Sequence, residues 1–90
     1  MLVDWNPPKA AANLRKHGVS FAEAATVFRD ILSATAADPD ESVGEDRYVT
    51  FGISVRGRLL VVAHTERGDT IWIISARRAT KRERKIYEEG

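Results

Sequence analysis

The 90-residue sequence contains no cysteine. That absence excludes disulfides, thiolate metal sites and cysteine nucleophiles together, and it suits a reducing cytoplasm. No apolar stretch approaches the roughly 20 residues that a membrane-spanning helix needs. The start, Met1-Leu2-Val3-Asp4-Trp5, has neither the basic region nor the apolar run of a signal peptide. The expectation is a cytoplasmic chain with no membrane contact. Its two histidines, His17 and His64, are far apart and belong to no ligand cluster, so no metal and no cofactor are expected. Arg56-Gly57-Arg58 and Arg67-Gly68-Asp69 look like hairpin turns, not phosphate-cradling loops. Nothing supports a serine triad, and there is no repeat or low-complexity tract.

Hydrophobic residues make up 43% of the chain, enough for one core in one domain spanning residues 1–90. A chain this short buries only about two-thirds of the surface its unfolded form exposes, so its stability margin is thin. Net charge is +1, but its distribution is uneven. Residues 38–46 carry five acidic groups and no basic one, whereas residues 47–90 carry ten basic and five acidic groups. The C-terminal half is thus a basic module behind an acidic loop. Clustered basic charge attracts phosphate backbones, and it also decorates ordinary solvated helices.

Hydrophobic spacing and turn signals predict the order β-α-α-β-β-β-β-α. Leu2 to Trp5 starts as a strand, and Pro7 and Pro8 suit a first helical turn. The first helix runs over Lys9–His17 and stops at Gly18. Ser20 and Glu23 form a capping box that opens a second helix to about Phe28 or Arg29. A strand follows over Ile31–Ala37, then a loop over Asp38–Asp46. Three strands come next: Arg47–Val55, Leu59–Glu66 and Thr70–Arg77. A second capping box, Thr80 with Glu83, opens a final helix through Tyr87. The expected architecture is α+β: a twisted, mainly antiparallel sheet with helices packed on one face.

Three segments resemble the BrnT family of toxins. The first is Trp5-Asn6-Pro7-Pro8-Lys9-Ala10, Asn13, Lys16-His17-Gly18-Val19-Ser20-Phe21 and Glu23-Ala24. The second is Asp38-Pro39-Asp40, Glu45-Asp46-Arg47-Tyr48 and Gly52. The third is His64-Thr65-Glu66-Arg67, Ile71, Ile73-Ile74-Ser75-Ala76-Arg77, Ala79-Thr80, Glu83-Arg84 and Tyr87. The resemblance spans about residues 4–88. It implies a RelE-like ribonuclease fold and a type II toxin–antitoxin pair with a BrnA-type antitoxin. That partner would carry a ribbon-helix-helix DNA-binding domain. Operator DNA would then be met only through the antitoxin, in a hetero-oligomer. One position departs: Trp72 stands where the family usually has arginine. Such a change either replaces a charge contact by base stacking on indole or weakens the toxin.

Cleavage of RNA without a metal needs a base for the 2′-hydroxyl, cations for the pentacoordinate phosphorus and an acid for the leaving oxygen. His64 and Glu66 share one strand face by the period of two. His64 titrates near neutrality and is either an acid–base group or a histidine with a structural hydrogen bond. Arg67 lies at an accessible turn. Arg77 ends its strand on the face expected for Ile71, Ile73 and Ser75, as a phosphate clamp or an ion-pair partner of Glu83. Arg47 either pairs with Glu45 or faces the scissile phosphate. Tyr87 packs on the core or offers its hydroxyl to the cleft. Lys16 and His17 cap a helix C-terminus or contact RNA. Trp72, Arg78 and Arg84 complete the candidate RNA-binding set. Two other roles remain open: a non-catalytic module that binds RNA or antitoxin, and a chain stable only within its complex.

Overall fold

The computed structural model describes residues 1–38 and 46–89. Most of the acidic stretch, including Pro39, Asp40, Glu41, Gly44 and Glu45, lies outside the described residues, as does Gly90. The elements are β1 (Leu2–Trp5), α1 (Pro7–His17), α2 (Phe21–Thr26) with a 3₁₀ turn over Val27–Arg29, β2 (Ala34–Ala37), β3 (Tyr48–Ile53), β4 (Leu59–Arg67), β5 (Thr70–Arg78) and α3 (Lys81–Glu89). The expected order therefore holds. The strands form one mixed sheet in the order β1-β5-β4-β3-β2. Only β1 runs parallel to its neighbour, β5, while the other pairs are antiparallel.

Local chemistry fixes the helix ends. Asn6 accepts a bond from Lys9 N at 3.0 Å, ahead of the two prolines. Gly18 ends α1 at φ 69°, a conformation that a Cβ would strain. Ser20 caps α2 through Glu23 N at 3.0 Å. The Glu23 carboxylate does not complete the box. It turns instead to Ser54 Oγ at 2.7 Å and to the guanidinium of Arg58. Those charge-assisted bonds hold it below the usual carboxylate range, against the opposing effect of burial. The box opening α3 is reciprocal: Thr80 Oγ1 accepts from Glu83 N at 3.1 Å, and Glu83 Oε1 accepts from Thr80 N at 2.9 Å.

The first two helices seal one face of the sheet. Val19, Phe21, Ala24 and Val27 pack there on Leu60, Val62, Ile73 and Ala76. Asn13 clamps α1 to β5, its amide donating to Ala76 O and Val19 O and its oxygen accepting from Ala76 N. Gly52 lets the 3₁₀ turn after α2 approach: a Cβ there would lie 2.7 Å from Val27 Cγ1.

Two expectations need correction. Helices do not all pack on one face, because α3 lies against the other, where Glu83, Ile86 and Tyr87 line a groove with Phe51 and Ala34. The strand expected over Ile31–Ala37 begins only at Ala34. Asp30 Oδ1 accepts from Leu32 N at 2.9 Å, which bends the chain there into a turn.

Candidate active site

A β-bulge decides which side chains share the open face. Ala63 pairs with Ser75 but His64 pairs with Ile73, so β5 carries one extra residue at Ile74. The alternation shifts there. Ile73 and Ala76 both point into the sealed core, while Ser75 and Arg77 share the opposite face with Ala63 and Val61. This corrects the expectation that Arg77 shares a face with Ile71 and Ile73. Three rows then cross the open face. Arg77 aligns with Val61, Phe51 and Ala34, and Ser75 aligns with Ala63, Val49 and Ala36. Trp72 aligns with Thr65 on one side and Asp4 on the other.

Charge gathers at this face. The Arg67 guanidinium lies 4.4 Å from the centroid of the Trp72 ring, a cation–π contact. Arg47 sits two residues before Val49, and its Nε is 3.8 Å from the Asp38 carboxylate. That Nε is buried and has no hydrogen-bond partner. Glu45, the partner expected for Arg47, is outside the described residues. Thr65 Oγ1 donates to Asp46 O at 2.6 Å and ties this corner together.

Arg77 and Tyr87 are both committed to carboxylates. Arg77 donates two bonds to Glu83, at 2.8 and 2.9 Å. The guanidinium holds the Glu83 carboxyl down to about 2, and the carboxylate raises Arg77 in return. Tyr87 Oη donates to Asp30 Oδ2 at 3.0 Å, anchoring α3 to the turn before β2. The same Asp30 oxygen accepts from Ile53 N at 2.8 Å. Burial, and next the Asp30 carboxylate, push the Tyr87 phenol up.

The other candidates lie elsewhere. His64 is 3% exposed, beneath the helical layer. Its ring meets Phe28 edge-on at 5.0 Å and stacks on Tyr48 at 5.9 Å. Its Nε2 is 2.7 Å from Thr50 Oγ1, which is 2.7 Å from Thr35 Oγ1, and its Nδ1 has no hydrogen-bond partner. Burial pushes the imidazole down to about 4, so it is neutral at pH 7. Of its two possible roles, this position favours the structural one. Glu66 is exposed and pairs with Ile71, on the side of the sheet that His64 occupies. Lys16 and His17 end α1 within the helical layer. Arg78 pairs with Leu60 and projects away from Arg77. Arg84 is on α3, 4.0 Å from Glu88.

The face thus joins Arg67, Trp72 and Arg77, with Ser75 between and Arg47 just ahead of β3, and neither histidine is on it. It can hold phosphates by charge and a base by stacking. Sequence reasoning gave Ser75, already on the face of Arg77, no role; the bulge at Ile74 turns that shared face to the open side. Sequence reasoning also missed the Asp30–Tyr87 anchor, a pair 57 residues apart with no local signal. Among the described residues no group of acidic or histidine side chains is placed to hold a metal, and no helix is long and apolar enough to cross a membrane.

Comparison with known proteins agrees with this architecture. A family model described as the ribonuclease toxin BrnT of type II toxin–antitoxin systems matches residues 5–83. The crystal structure of the Brucella abortus ribonuclease toxin BrnT superposes with a TM-score of 0.69 at 27% identity, covering 90% of this chain and 99% of that one. No curated protein sequence matches the chain. A family match over this much of the sequence, on the same α+β frame, shows that the chain belongs to the BrnT family of ribonuclease toxins.

Proposed function

We propose that this toxin is a metal-independent endoribonuclease acting on single-stranded cellular RNA at the open sheet face. The observation that carries this reading is the shared face of Arg67, Trp72 and Arg77, with Arg47 just ahead of β3. The 2′-oxygen attacks the adjacent phosphorus, the 5′-oxygen leaves, and a 2′,3′-cyclic phosphate remains. Arg47 and Arg77 stabilise the phosphorane oxygens. Trp72 stacks a base, and Arg67 keeps a cation over the position where the resembling family carries arginine. Glu66, the exposed carboxylate before Arg67, projects from the opposite side of the sheet near the hairpin end, so it acts as the base only on RNA that wraps that end. His64 holds the sheet from below. A BrnA-type antitoxin with a ribbon-helix-helix domain neutralises the toxin, and their complex meets operator DNA only through that domain.

The test is antitoxin-free protein incubated with single-stranded RNA in excess EDTA. Expected are fragments ending in 2′,3′-cyclic phosphate and 5′-hydroxyl. Intact RNA beside folded protein overturns the enzymatic reading. A second reading, a toxin fold that binds RNA without cutting it, is favoured by one observation. The open face has no histidine, and its Arg77 and the neighbouring Tyr87 are both tied to carboxylates. Trp72→Arg separates the two: gained cleavage marks a weakened site.

A further inference from the structure

One side of the open face is apolar and unfinished. A groove of about 480 Å³ runs between α3 and the β2–β3 side of the sheet, lined by Leu32, Ala34, Phe51, Glu83, Ile86 and Tyr87. Of its lining residues, Leu32 is 73% exposed and Ile86 63%. The groove opens beside β2, the last strand of the sheet. β2 reads Ala-Thr-Ala-Ala, and all four residues are exposed. Natural edge strands are usually blunted by lysine, proline, a bulge or a cover. β2 contains none of the first three, and among the described residues no element pairs with its outer edge.

We propose that this edge and groove dock an extended, acidic and apolar segment of the antitoxin, added to the sheet as a sixth strand against β2. The proposal rests on the toxin–antitoxin reading. Strand addition satisfies the open N–H and C=O groups of β2 and gives affinity through the main chain. Alternate side chains supply specificity. Ala34 and Ala36 face the groove side of the sheet, in register with Phe51 and Val49. Every second residue of an added strand therefore falls beside them, where an apolar side chain enters the groove against Leu32 and Ile86. The charge requirement follows from α3. Arg82 and Lys85 stand one turn and one residue before Ile86, both exposed. An acidic segment complements them.

The experiment uses the full chain and the purified product of the reading frame adjacent to its gene. Binding is measured by calorimetry for wild type, Leu32→Asp, Ile86→Asp and the double variant Arg82→Glu/Lys85→Glu. Leu14→Asp is the control, another exposed apolar position (50% exposed) on α1. Expected are losses of at least tenfold for the first two and a smaller loss for the charge reversal, with Leu14→Asp at wild-type affinity. Equal affinity in all five overturns the proposal and leaves the toxin–antitoxin reading standing. Wild type that binds no partner overturns both. Hydrogen exchange on the wild-type complex gives a readout that needs no variant: the amides of Ala34 to Ala37 gain protection on binding, and unchanged exchange there counts against strand addition. Self-association of the chain alone, abolished by Leu32→Asp, would show the occupant to be a second copy and overturn the assignment to the antitoxin.

Discussion

The two faces of one sheet are built for different ends. The face under α1 and α2 is closed, with Leu60, Val62, Ile73 and Ala76 almost wholly buried against Val19, Phe21 and Val27. The other carries arginines, a tryptophan and half-buried apolar residues, and has only the nine-residue α3 beside it. Within α3 no residue is buried. It is held by polar ties, Glu83 to Arg77 and Tyr87 to Asp30. A chain of this size has material to close one face fully. What remains open is where the proposed binding and chemistry belong, and the contrast predicts that mutations on the two faces do different things.

The largest effect is expected in the closed face. Phe21 is 1% exposed and meets Trp5 edge-on at 6.1 Å. Phe21→Ala should cost about 3–5 kcal/mol, a large part of the stability of a small domain. Val49→Ala on the open face, where the side chain is already half-exposed, should cost about 1 kcal/mol or less. Urea unfolding midpoints measure both. Similar losses would break the contrast.

A pH effect comes next, because His64 is the titrating group inside the closed face. In the unfolded chain it titrates near its ordinary 6.5, and in the fold burial lowers it to about 4. Between those values the unfolded state binds more protons, so stability is full above about pH 6.5 and falls as pH drops toward 4. One proton limits the slope to about 1.4 kcal/mol per pH unit. His64→Gln keeps a polar partner for Thr50 and removes the titration. Its stability should change less between pH 6.5 and 4.5 than that of the wild type. Parallel curves would mean that the imidazole is not held neutral.

Much of this frame was legible in the sequence, and the misses have physical causes. Ser20 and Thr80 cap helices because a side-chain oxygen next to a helical run has few better partners than the free N–H groups. The hairpin turns, and with them the succession of strands along the chain, followed from the glycines between branched runs. Arg77 was expected on the side of Ile73 because a period of two assumes an unbroken ladder, and the bulge at Ile74 breaks it. For His64 both an acid–base and a structural role stood open because a strand residue near neutrality carries no mark of what covers it. Phe28 and Tyr48, which enclose it, lie 36 and 16 residues earlier in the chain. The placement of α3 was likewise set by the long-range Tyr87–Asp30 bond.

On the open face the expected effects concern RNA more than stability. Trp72→Ala removes a stacking platform, and base–aromatic stacking is worth about 1–3 kcal/mol per base. Affinity for a short single-stranded RNA should fall about 5- to 100-fold, with an unfolding midpoint close to wild type. Fluorescence anisotropy at fixed salt measures the first and circular dichroism the second. Loss of fold without loss of affinity per folded molecule would move Trp72 from the binding face to the scaffold.

The smallest effect is the most informative about Arg77. Its guanidinium is occupied by Glu83, yet 41% of its side chain remains exposed, so solvent screens the pair and its worth is about 1 kcal/mol or less. Glu83 is held down to about 2. Its contribution is therefore present above the ordinary carboxylate value and is lost as pH falls from about 4.5 toward 2. Glu83→Gln should lower the melting temperature by a few degrees at pH 7 and flatten the acid limb in that window. The same change leaves Arg77 without its counter-charge. If the ion pair merely props α3, RNA affinity stays level or falls. If Arg77 is a phosphate ligand masked by Glu83 until RNA arrives, affinity rises a few-fold while stability falls. Opposite signs in the two assays would place Arg77 in the binding face, and losses in both would leave it a strut of the fold.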